Sequence, residues 1–174
     1  VSTTSLARRA ARTVGESPAA GRVADAQEAL YRPVLAWLGH SPFHTDVLGH
    51  SIHPMLTDVT LGCWLSASIL DASRGRSARG SATVLVASGL VASVPTAFAG
   101  AADWAGMSGS DRRIGAIHSL GTDVATFLFL GSLVARLRGR DSTGMRLAIA
   151  GNLVLVGAGF LGGHLALSRG TAKR

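Results

Sequence analysis

Charged side chains are scarce in this chain of 174 residues: Asp, Glu, Lys and Arg make up 16% of it, whereas a soluble domain carries about a quarter. That scarcity, beside 47% hydrophobic residues and a mean hydropathy of +0.33, excludes an ordinary water-facing surface. Cysteine is nearly absent. The lone Cys63 can close no intrachain disulfide, rules out a thiolate cluster for soft metals, and reads as a small core residue. Aromatic residues are few, at 5%, and no basic face with interleaved aromatics accompanies the net charge of +7. Nucleic acid is therefore excluded as a partner. Lysine is reduced to Lys173, and the preference for arginine points to a GC-rich bacterial genome. The first residues, VSTTSLARRAARTVGESPAAGR, lack the apolar core of a secretory signal, so insertion is expected to rest on the first span.

What the chain does have is four apolar segments, roughly 54–72, 80–102, 114–135 and 147–168. Each is close to the approximately 20 residues that cross about 30 Å of hydrocarbon at 1.5 Å per residue. The connections are short, so successive helices run antiparallel. The expected fold is an all-α membrane protein, a bundle of four transmembrane helices over residues 53–168. Ahead of it, residues 1–21 read as a flexible basic tail, and residues 22–52 as an amphipathic, interfacial segment with a His-rich entry loop. Residues 169–174 form a C-terminal tail. In the amphipathic part, Val23, Leu30, Val34 and Trp37 recur at helical spacing, which suits a helix lying on the membrane surface or a soluble amphipathic helix packed on the bundle, and Pro33 is expected to kink or split it. Pro95 should kink the second span, and Gly159 with Gly163 makes a G-x-x-x-G in the fourth.

Two hairpins resemble each other. His53-Pro-Met-Leu-Thr-Asp-Val matches His118-Ser-Leu-Gly-Thr-Asp-Val at an offset of 65, Arg-Gly-Arg at 74–76 recurs at 138–140, and Phe98-Ala-Gly matches Phe160-Leu-Gly at an offset of 62. Matches in one order at nearly constant offset suggest a duplicated hairpin with a pseudo-two-fold axis along the membrane normal. His53 and His118 would then be symmetry mates.

The histidines gather at one face of this arrangement. His53 starts the first span, His118 lies about a turn inside the third, and His164 is near the end of the fourth. His40, His44 and His50 precede His53. Pro54 suits the first helical position and places His53 at the helix cap. Asp58 and Asp123 follow their histidines by five residues, roughly 7.5 Å deeper at 1.5 Å per residue. A carboxylate at that depth is expected to face the interior, as polar glue with Thr57, Thr122 and Asn152 or as support for a ligand. Asp103 lies beside Trp104, read as an interfacial anchor.

At GHSIHPMLTD (49–58), GAADW (100–104), His118 and GGHL (162–165), the chain resembles the bacterial membrane-protein family catalogued as domain of unknown function 2231, over about residues 21–168. It departs from the family's usual pattern at Ser51 and Thr60, where proline is common. The family carries no established activity; its domains are sometimes joined to Rieske-type or cytochrome c-type modules, which implies membrane electron transfer. Neither a Rieske C-x-H nor a haem C-x-x-C-H sequence is present here.

Three functions compete on these residues. The first is a small redox protein holding haem b by histidine, with His53 and His118 as axial ligands, His50 or His164 as alternates, and Asp58, Asp123 and Asp103 as polar support. It implies a membrane or extracytoplasmic redox partner, and more an electron carrier than an independent enzyme. The second is a non-haem Zn or Fe site, or a metal or proton transporter, on the same histidines with Asp58 or Asp123. The third is a structural subunit of a membrane complex, or a homo-oligomer, without cofactor. The arginines of the inter-helix turns, Arg74, Arg76, Arg79, Arg136, Arg138, Arg140 and Arg146, favour those turns in the bacterial cytoplasm. Both termini and the histidine cluster are then expected outside.

Overall fold

A computed structural model of the chain describes residues 3–38, 51–73 and 75–168, and all of the regular structure among them is helical. In chain order the helices are α1 (Thr3–Glu16), α2 (Pro18–Leu38), α3 (His53–Ala72), α4 (Arg76–Ala105), α5 (Gly109–Leu137) and α6 (Asp141–Gly163), the last followed by a π-helical segment, His164–Ser168. His40, His44 and His50 lie outside the described residues.

The stretch expected as a flexible tail contains α1. Its apolar positions Ala11 and Val14 pack with Ile114, Leu161 and Leu165, leaving Arg8, Arg9 and Arg12 exposed on the other side. The break to α2 is sharp because Ser17 caps the new helix, accepting a bond from the Ala20 N–H at 3.4 Å, and Pro18 occupies the first helical position, where no N–H is needed. Helix α2 runs unbroken through Pro33, correcting the expected split.

Among the described residues, three helices are long and apolar enough to cross a membrane: Ser77–Ala105, Gly109–Leu137 and Asp141–Ala166. Their exposed side chains include Val84, Val91, Phe127, Val134, Leu153 and Val156, a surface suited to lipid and not to water. The first expected span is a helix of 20 residues, α3, but it does not join that set. Asp58 and Asp71 dilute its apolar character.

Packing divides the helices into two compact units. One comprises Val1–Ile52, Phe98–Leu120 and Gly157–Arg174, the other His53–Ala97 and Gly121–Val156. The second unit is built around Trp64 of α3 and Phe129 of α5, whose rings stack at 4.1 Å and 6°, with Ala67, Ala82, Val86 and Ala148 around them. Small residues make the stack possible: a Cβ at Gly89 would lie 2.4 Å from the Trp64 ring, and one at Gly151 would lie 2.7 Å from Phe129. At the end of α5, Gly139 takes φ 70, the left-handed geometry that lets Arg140 N–H reach Ala135 O and Gly139 N–H reach Arg136 O, both at 2.9 Å. This cap reverses the chain into α6 within three residues.

Burial repeats along the sequence. Thr60, Trp64, Ala67 and Asp71 are the buried positions of α3, and Ala125, Phe129, Ser132 and Arg136 are buried in α5, each 65 residues on. Ala82, Val86 and Gly89 of α4 correspond in the same way to Gly144, Ala148 and Gly151 of α6, each 62 residues on.

Candidate functional site

His53 opens α3 with Pro54 immediately behind it, as the sequence requires of a helix start. Its Nδ1 stands 3.0 Å from the carbonyl oxygen of Thr96 in α4. A carbonyl only accepts, so Nδ1 is the donor. The Thr96 hydroxyl bonds back to Ala92 O at 2.7 Å and meets the Thr60 hydroxyl at 3.1 Å. Helix α4 is thereby pinned to α3 at Thr96, through its carbonyl and its hydroxyl.

His118 repeats the arrangement in the other unit. Its Nδ1 lies 2.7 Å from the carbonyl oxygen of Ala158 in α6, so Nδ1 is again the donor. The ring lies flat against the backbone at Gly162, where a Cβ would come within 2.8 Å of Cε1. The carbonyls that hold the two histidines, those of Thr96 and Ala158, are themselves 62 positions apart, the spacing of the α4 and α6 burial pattern. Helix α5 begins at Gly109, which puts His118 two and a half turns inside it instead of one.

The other expected site residues fare differently. His164 is half-buried at the start of the π-helical segment. It follows Gly162 by two residues, about 200° around a helix, so it leaves α6 away from the His118 ring. Asp103 is half-buried and accepts a hydrogen bond from the Ser51 hydroxyl. Asp123 is half-buried, whereas Asp58 is exposed on α3, which corrects the expectation that it faces the interior. Five residues place it about 140° around the helix from His53, off the packed side. Among the described residues no group of three or more His, Cys, Asp or Glu side chains could hold a metal ion.

Of the polar residues expected to bind helices together, Asn152 makes a bond to another helix. It donates to the Ser68 hydroxyl at 2.7 Å across α6 and α3, whereas Thr57 bonds the His53 carbonyl of its own helix at 2.8 Å. At Ser51 and Thr60 the hydroxyls make hydrogen bonds that proline could not supply. Trp104 is not a simple lipid anchor. It is buried, donates from Nε1 to Arg112 O at 2.9 Å, and has the Arg112 guanidinium 5.7 Å from its ring centre. Arg112 in turn binds Asp25 at 2.9 Å and Glu28 of α2.

The residue pair that sequence reasoning missed is Asp71 and Arg136. Both are buried, joined by two hydrogen bonds, and the Arg136 Nε also donates to the Ser132 hydroxyl at 3.2 Å. The signal was available, since an acid and a base occupy equivalent positions of the two similar hairpins.

A family model described as Predicted membrane protein (DUF2231) matches residues 49–173. No curated protein and no solved structure matches the chain.

Proposed function

Since the chain belongs to the DUF2231 family of predicted membrane proteins, we propose that it is a membrane redox protein that binds haem b through histidine, with His53 and His118 each a candidate ligand. The observation that carries this reading is the anchoring of both imidazoles by Nδ1 on a backbone carbonyl of the neighbouring helix. That bond to a neighbouring helix fixes the ring orientation, as it does for metal-binding histidines generally. Haem held in this way supplies one-electron transfer. The chain's own part is to hold the two rings, with Gly162 leaving room for the face of His118.

The same reading takes α3 as a fourth span and the two hairpins as copies of one. In support, Met55, Val59, Leu65 and Ile69 of α3 are exposed apolar residues, and the charge of Asp71 is neutralised by Arg136. An offset of 65 shared by the histidines and the buried positions of α3 and α5, and one of 62 shared by their carbonyl partners and the buried positions of α4 and α6, support the duplication. For orientation, Arg138, Arg140 and Arg146 are exposed at the α5–α6 turn, while Arg112 at the opposite end is tied to Asp25 and Glu28. The Arg-rich turns therefore belong in the bacterial cytoplasm and the histidines outside.

A visible spectrum of protein purified in mild detergent from haem-replete cells tests the function. A Soret band with a reduced α-band supports haem. Bound zinc or iron without a Soret band supports the non-haem reading, and a colourless, metal-free protein supports a structural subunit.

A further inference from the structure

Helix α2 carries two different surfaces along its length. Ala20, Ala24, Gln27 and Leu38 are buried, and Val23 and Leu35 pack with Trp104, Ala116 and Met107. Off that packed side, Leu30, Val34 and Trp37 are 71%, 39% and 59% exposed. Their spacing of four and then three residues lines them along one stripe. Three large apolar side chains on one stripe are costly in water.

The contacts of α2 also give its depth. Asp25 and Glu28 bind Arg112, in the first turn of α5 and beside the α4–α5 turn, a level that belongs to headgroups and water. Further along, the Trp37 ring meets Phe98 edge-to-face at 6.2 Å. Phe98 lies seven residues before the end of α4 at Ala105, hence about 10 Å inside that apolar helix at 1.5 Å per residue. Between Glu28 and Trp37 the axis of α2 advances about 13 Å, enough for an oblique descent of that size. The charges agree. Arg32 is the last charged residue of α2, and its long stem allows the guanidinium to reach back to the surface.

We propose that α2 is an obliquely inserted helix whose Leu30, Val34 and Trp37 contact the acyl chains of the leaflet nearest the α4–α5 turn, with the Arg112–Asp25–Glu28 cluster marking the headgroup level. The helix is thus part of the membrane-embedded protein and not a soluble helix laid over it. This inference rests on the membrane character of the family and is independent of any cofactor.

Nitroxide labels at Leu30→Cys, Val34→Cys and Trp37→Cys, each in a Cys63→Ala background and reconstituted into phosphatidylcholine and phosphatidylglycerol vesicles, test it. Arg22→Cys serves as the aqueous reference, and Val91→Cys, exposed on α4, as the lipid reference. Collision with oxygen is expected to exceed collision with a water-soluble nickel chelate at all three sites, with apparent depth increasing from 30 to 37. Dominant nickel collision at 30 and 34 overturns the proposal in favour of a water-facing helix. Protection from both reagents overturns it in favour of a protein partner, such as a second copy. Leu30 and Val34 keep the test valid if Trp37→Cys unfolds the chain.

Discussion

Asp71 and Arg136 stand 65 residues apart in the chain and meet as a buried ion pair, with Nη1 of the guanidinium 2.9 Å from Oδ1 of the carboxylate. The pair joins the end of α3 to the end of α5 at positions that are equivalent in the two similar hairpins. Ser132 holds the arginine from one side, and Gly144, whose Cβ would lie 2.6 Å from Arg136 Cγ, leaves room on the other.

Removing one partner leaves a buried charge without compensation, which costs about 3–5 kcal/mol. Asp71→Asn and Arg136→Met are each expected to lower the midpoint of thermal unfolding in detergent, and the double variant Asp71→Leu with Arg136→Met to regain most of the loss. The reversed pair, Asp71→Arg with Arg136→Asp, should not recover. Its arginine would stand where Ala67 and Ala82 replace Ser132 and Gly144. Full recovery by the reversed pair would show that the local packing of Arg136 is immaterial.

The glycines beneath the central rings make a second, paired prediction. Gly89→Ala and Gly151→Ala place a methyl against Trp64 and Phe129 respectively, and overpacking of this kind costs about 1–3 kcal/mol. Either change should reduce stability and broaden the near-ultraviolet dichroism of Trp64. Gly157→Ala, with nothing within 4 Å of its Cβ, should not. Equal behaviour of all three would remove the stack as a determinant of the fold.

Gly162→Ala tests the seat of His118. The added methyl displaces the imidazole without removing any ionisable group. On the haem reading it should shift the reduced α-band or the midpoint potential while leaving the yield of folded protein close to wild type. His118→Ala and His53→Ala should each abolish or displace the band. An unchanged spectrum in all three variants excludes these histidines as ligands.

Topology is checked with single cysteines at the exposed residues Ser77 and Ser108 in a Cys63→Ala background. A membrane-impermeant thiol reagent on intact cells is expected to label position 108 and spare 77. The reverse pattern places the histidines on the cytoplasmic side.

Much of this molecule followed from local chemistry. Long apolar runs require helices because backbone groups in hydrocarbon must bond within their own segment. Pro54 marks a helix start, and the residues that follow His53 and His118 are alike in the sequence. The amphipathic stretch around Leu30, Val34 and Trp37 and the glue residue Asn152 were legible for the same reason: residue type at helical spacing. Tertiary structure decided what depends on rotation about a helix axis and on partners distant in sequence. Five residues after His53, Asp58 emerges on the outside of α3, and two residues after Gly162, His164 turns from the ring that Gly162 touches. Asp71 and Arg136 look like ordinary flanking charges until the chain folds and buries them together. Residues 3–16 are too polar and too short to be stably helical alone, and α1 exists because Ala11 and Val14 find Ile114, Leu161 and Leu165 to pack against.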